Sequence, residues 1–187
     1  FHLYTAAFGV LLTQKQIHLT ITLVLGFLIT GGLGKKDQSL FTKVMDVVLV
    51  FASIASGYYL VTNYWDLNLR IGAPIPSDTV VGAVAILLIL ELTRRTMGWA
   101  LPLLAILFLF YAYYGPYFPE LISHRGIDLQ RIFTFIPFSG EGIYGPPIAA
   151  SATFLVVFLI LGCFLEESGA GQFFIDLANT MTGRYYG

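Results

Sequence analysis

Charge is scarce in this chain, and cysteine is almost absent. Asp, Glu, Lys and Arg make up 11% of its 187 residues, against roughly 25% in an average soluble domain. Hydrophobic residues reach 57% and mean hydropathy is +0.78. A water-soluble fold of this size could not hide so much apolar surface, so part of its solvent is lipid. Formal net charge is −1, which gives no electrostatic footprint for a nucleic-acid partner. One cysteine, Cys163, excludes an internal disulfide, and no Cys/His set with metal-ligand spacing is present; its apolar setting reads as that of a small buried residue. His2, His18 and His124 are scattered and read as satisfied or solvated side chains. Phosphate-binding motifs are missing: Gly31-Gly32-Leu33-Gly34 lacks the lysine and the following Ser/Thr of a P-loop. No basic flank with a cleavage site marks a signal peptide, and no cofactor is implied.

What the chain has is apolar runs. Five approach the roughly 20 residues that cross a bilayer as a helix: Ile17 to Leu33, Val44 to Val61, Val80 to about Thr96, Trp99 to Tyr117, and Pro147 to Leu165. They are continuous rather than alternating, which argues against barrel strands. The expected fold is therefore an all-α, polytopic transmembrane helix bundle of about five spans. Basic residues orient it. Lys35, Lys36 and Lys43 lie between the first two runs, and Arg94 and Arg95 between the third and fourth. The positive-inside rule makes both connections cytoplasmic. The segments 62–79 and 118–146 then face outward, flanked by Tyr58, Tyr59, Tyr64, Trp65 and by Tyr111, Tyr113, Tyr114, Tyr117, while Trp99 marks an inner end.

Within the second outward segment, Asp128 can cap a helix that carries Leu129, Ile132, Phe133 and Ile136 on one side. Gln130, Arg131 and Thr134 fall on the other side, and Pro137 ends the helix. An amphipathic helix in the outer interface is expected. A further amphipathic stretch, Phe173, Phe174, Leu177, Ala178 and Met181, follows Glu166 and Glu167.

Few residues could carry chemistry. Glu91 stands three and four residues before Arg94 and Arg95, the spacing of an ion pair on one helix face; the expected role is a structural pair at the end of a span. Asp46 reads as a charge at the same end, near Lys43. A membrane-embedded enzyme would need Glu91, Arg94, Glu166 and Glu167 to converge.

Several stretches resemble one family. Phe1-His2-Leu3-Tyr4-Thr5-Ala6-Ala7-Phe8-Gly9 with Ile17-His18-Leu19 is similar to the start of the fused permease of TRAP transporters, TAXI branch. So are Leu90-Glu91-Leu92-Thr93-Arg94-Arg95-Thr96-Met97-Gly98-Trp99, Ser151-Ala152-Thr153-Phe154, and the run from Phe164-Leu165-Glu166-Glu167-Ser168-Gly169 to Phe174. The resemblance implies a multi-pass protein of the bacterial inner membrane. It implies a secondary transporter that imports organic solutes on an ion gradient, usually sodium, with a periplasmic solute-binding protein as partner. Residues 1–117 would be the small Q-type scaffold domain, less its first span, plus a connecting helix. Residues 118–146 would be an outer linker, and 147–187 the start of the large M-type transport domain. The chain is then expected to be an N-terminal fragment whose partners are the bilayer, the remaining M-type domain and the binding protein. No substrate- or ion-binding residue is carried over. Asp66, Arg70 and Arg131 are the outward charges a binding protein could meet. The alternatives from other classes are a structural accessory subunit and the enzyme described above.

Overall fold

The computed structural model describes residues 2–9, 11–31, 40–70 and 73–182. These residues form helices and turns, with no strand among them. In chain order the helices are α1 (His2–Phe8), α2 (Leu12–Gly31), α3 (Leu40–Thr62), α4 (Tyr64–Leu69), α5 (Pro76–Met97), α6 (Ala100–Tyr114), α7 (Leu129–Phe138), α8 (Pro146–Glu167) and α9 (Ala170–Thr182). Four candidate spans emerge by length and composition among the described residues: α3, α5, α6 with its 3-10 extension to Tyr117, and α8. The architecture is thus an all-α polytopic bundle, with four such helices rather than five. The expected span without a counterpart among these is the first, Ile17 to Leu33, which corresponds to α2. That helix is 20 residues long, but Gln14, Lys15, Gln16 and His18 dilute its first two turns. The lysine pair 35–36 lies outside the described residues.

The chain divides into two compact units, residues 11–148 and residues 1–10 with 149–187. In the larger unit, α2, α3 and α5 pack on one another, and α4, α6 and α7 pack around them. Its core joins Leu19, Leu23 and Phe27 of α2 to Leu60, Leu67, Leu88, Phe138 and Tyr144. Helix register follows from close approaches. Gly57 on α3 faces Thr20, and Gly31 on α2 faces Asp46, so α2 and α3 run antiparallel. Asp46 meets Arg95 and Tyr59 meets Asp78, so α5 is antiparallel to α3 and runs parallel to α2, where Gly26 faces Leu92. Lipid offers no hydrophobic drive between helices, and small residues that let backbones close together supply contact instead. Several hydroxyls inside the bundle are satisfied along their own helices: Thr20, Thr22, Thr30 and Ser53 each donate to the carbonyl four residues back.

Helix α5 starts on Pro76, where a missing N–H costs nothing. It stops at Gly98, whose φ of 81° reverses the chain and whose N–H reaches the Arg94 carbonyl. Helix α7 begins as the sequence indicates, with Asp128 Oδ2 accepting the Gln130 N–H at 3.1 Å. Two details differ from expectation. Pro137 lies inside the helix, which continues to Phe138. Thr134 is buried rather than outward, its hydroxyl donating to the Gln130 carbonyl at 2.8 Å, while Leu129 is exposed. Both follow from packing on α5: at Gly82 the α7 backbone comes so close that a Cβ would collide with the Phe133 carbonyl. Contact with α5, and not the apolar stripe alone, decides which face turns inward.

In the smaller unit, α1 packs on the π-helical stretch Ser151–Leu155 of α8, and Thr5 Oγ1 donates to the Ala152 carbonyl at 2.7 Å. Gly169, at φ 73°, lets the chain turn into α9. Cys163 is exposed, which corrects the expectation of a buried thiol. Helix α8 is apolar on all sides, so an apolar neighbourhood in sequence does not say which of its faces is covered.

The α5–α7 contact yields a stability expectation. Gly82→Ala places a methyl against a main-chain carbonyl that cannot rotate away, and overpacking of this kind costs about 1–3 kcal/mol. Reversible unfolding of the protein in mixed micelles should show that loss, and Gly140→Ala, where a Cβ meets nothing within 4 Å, should show little of it.

Candidate functional site: an arginine-centred ion-pair network

The last turns of α5 carry the most concentrated polar chemistry among the described residues. Glu91, Arg94 and Arg95 lie together on one helix face. Arg94 grips the Glu91 carboxylate with two nitrogens, Nε to Oε2 at 2.7 Å and Nη2 to Oε1 at 2.8 Å. Arg95 Nε donates to the same Oε1 at 2.7 Å. The fork of a guanidinium suits this two-point grip, and bonds between ionised partners are short and strong.

Arg95 then leaves its own helix. Its Nη1 donates to Asp46 Oδ1 on α3 at 2.6 Å, and its guanidinium lies 5.5 Å from the centre of the Phe27 ring on α2. One side chain therefore touches all three helices of the sheaf. Asp46 is fully buried, at 0% exposure. Its second oxygen, Oδ2, accepts no hydrogen bond among the described residues. Gly31 closes over it: a Cβ there would sit 2.6 Å from Oδ2. Asp46 was expected near Lys43; the partner it finds is Arg95, 49 positions away in sequence. Two acids and two arginines make the cluster formally neutral, which limits the cost of keeping it out of water.

The opposite end of the same helices is also tied. Asp78, at 1% exposure, accepts the Tyr59 hydroxyl at Oδ1 (2.7 Å) and the Ile75 N–H at Oδ2 (3.1 Å). A carboxylate at the N-terminal turn also favours the helix dipole. Arg70 stands 3.9 Å away, so one of the outward charges considered for docking is partly committed to Asp78. Asp66 and Arg131 are exposed. Nearby, Lys15 Nζ donates to the Tyr144 carbonyl at 2.8 Å, and burial pushes the Tyr144 phenol well above its ordinary pKa.

The remaining candidates do not join this network. Glu166 and Glu167 are exposed at the end of α8 and form no ion pair among the described residues. His18 is buried on α2. His124 is packed edge-on against Tyr111; its Nδ1 accepts the Gly126 N–H at 3.1 Å, which leaves Nε2 to donate to the Tyr111 carbonyl at 3.1 Å. No group of His, Cys, Asp and Glu among the described residues could hold a metal ion. Sequence spacing found the local half of the network. It missed Asp46–Arg95 and Tyr59–Asp78, for which the available signal was a lone acid near each end of an apolar run.

Removing one partner of a buried pair leaves an uncompensated charge and costs about 3–5 kcal/mol. Arg95→Met should therefore lower unfolding stability in detergent by that order. The double variant Asp46→Asn with Arg95→Met should recover most of the loss. If the single and double variants are equally destabilised, the pair is not coupled.

The chain's family follows from its sequence read against known families. A family model described as the tripartite ATP-independent periplasmic transporter, DctM component, matches residues 84–187, more than half of the chain. That stretch begins inside α5 and takes in Glu91, Arg94 and Arg95. No curated protein and no solved structure matches. The family is one of transporter components rather than enzymes, in keeping with a multi-pass membrane protein. The chain belongs to the DctM family of tripartite ATP-independent periplasmic transporter components.

Proposed function

We propose that the chain is the scaffold portion of a fused TRAP-type permease of the TAXI branch. Residues 1–117 form the Q-type scaffold with its connecting helix, 118–146 the outer linker, and 147–187 the start of the M-type transport domain. The permease imports organic solutes handed over by a periplasmic solute-binding protein and is driven by a sodium gradient. The observation that carries the TRAP-type permease part of this reading is the family match over residues 84–187, which begins within the stretch assigned here to the scaffold. The scaffold role is supported by the α3–α5 pair being tied at both ends, through Arg95 and Asp78. Buried ties at both ends oppose sliding of one helix past another, as a stationary support requires. In this reading Glu91, Arg94 and Arg95 hold structure and no residue of the chain binds solute or sodium. The Arg95 end faces the cytoplasm, and the outward segments 62–79 and 118–146 meet the binding protein.

Uptake by the complete permease in proteoliposomes, with its cognate binding protein, tests the proposal. Solute should accumulate only with an inward sodium gradient and with binding protein present. Deleting residues 1–117 should reduce uptake to background. Accumulation that ignores sodium would remove the coupling assignment, and uptake that survives the deletion would remove the scaffold role. Charge reversal at Asp66 and Arg131 should raise the binding-protein concentration needed for half-maximal uptake; an unchanged value would mean that docking lies elsewhere.

A further inference from the structure

A groove of about 610 Å³ runs between α3, α5 and α6. Leu49, Ala52, Leu87, Leu88, Pro102 and Ile106 line most of it, and its polar groups gather at one end, where Glu91, Arg94 and Trp99 stand. Leu87 and Ile106 are exposed at its mouth while Leu88 is buried at its floor. All three walls are candidate spans, so the groove opens sideways toward the apolar phase. Its polar end coincides with the α5–α6 turn at Gly98, where spans stop. Tryptophan and arginine at a span terminus sit at the level of lipid headgroups.

The polar end is preorganised. Glu91 engages Nε and Nη2 of Arg94 and leaves Nη1 without a hydrogen bond among the described residues. The Arg94 guanidinium lies 5.2 Å from the centre of the Trp99 ring. Trp99 is exposed, and its indole N–H likewise has no partner among the described residues. Arg94 and Trp99 thus stand side by side, each with an N–H donor to spare, at the end of an apolar trough. Their complement is a molecule with a long apolar tail and an anionic, hydrogen-bond-accepting head. A guanidinium is well suited to phosphate oxygens.

We propose that this groove is a phospholipid site: one acyl chain lies along α3, α5 and α6, and its phosphodiester accepts from Arg94 and Trp99. The bound lipid fills the space beside the Arg95-centred network and keeps water from its edge. The site does not depend on which solute or ion the permease carries. It requires only that the three helices span a bilayer.

The test uses the complete permease in nanodiscs, on a Trp65→Phe background so that Trp99 is the tryptophan of this segment, with any tryptophan elsewhere in the permease replaced by phenylalanine. Trp99 fluorescence is titrated with dibrominated phosphatidylglycerol and, separately, with dibrominated diacylglycerol, which lacks the phosphate. The expected result is quenching by the phospholipid at mole fractions below those needed by diacylglycerol. Arg94→Gln should reduce that preference by about tenfold, the scale of one hydrogen bond to a charged group. Ala52→Phe should fill the trough and remove the preference while leaving Arg94 in place. Quenching that follows bulk mole fraction equally for both lipids would overturn the proposal. So would a Trp99 that neither lipid quenches, since a protein segment would then occupy the groove. Uptake need not be measured, so failure here is separate from failure of the transport assignment.

Discussion

The bond from Arg95 to Asp46 is the constraint on which the larger unit depends. It joins an acid and a base, the acid fully buried, at 2.6 Å between two largely apolar helices. In lipid the usual drive for helix association is absent, because tails are as apolar as leucine. A buried carboxylate, by contrast, strongly disfavours any arrangement that leaves it without its partner. The pair therefore acts less as a source of net stability than as a register mark. Only one alignment of α3 on α5 brings Asp46 to Arg95 and, at the far end, Tyr59 to Asp78.

Glycine makes that alignment physically possible. Gly31 admits the Asp46 carboxylate against α2, and Gly82 admits the α7 backbone against α5. Phe27 completes the Arg95 end by laying its ring beside the guanidinium, an attraction that strengthens when the pair is dry. The polar groups thus specify where helices meet, and the small residues set how closely. Apolar faces left over on α6 and α8, such as Phe108, Phe110, Phe158 and Leu161, are the surfaces a bilayer or further protein would cover.

A scaffold reading is consistent with this economy. Every charge in the α5 cluster has an opposite charge beside it, and the cluster sums to zero. Proton relays and ion paths need groups that can change partner or protonation state, whereas this network holds each group in a fixed pairing. The same fixed pairing positions Arg94 at the polar end of the apolar groove, so one structural device serves both helix registration and the lipid contact inferred from it.

By itself the sequence determined membrane residence, helical class, and the approximate places where spans stop. Continuous apolar runs, scarce charge and the basic residues between the runs suffice for that, because bilayer thickness and backbone hydrogen bonding leave few alternatives. It also determined the Asp128 cap and the local grip of Glu91 on Arg94 and Arg95, since both act within one turn of helix. Tertiary structure alone decided the long-range partners. Asp46 looked like a neighbour of Lys43 because sequence proximity was the only measure at hand; helix packing delivered Arg95 instead. Thr134 turned inward and Cys163 outward for the same reason: the covered face of an apolar or short helix is set by what packs against it, and periodicity cannot name that neighbour.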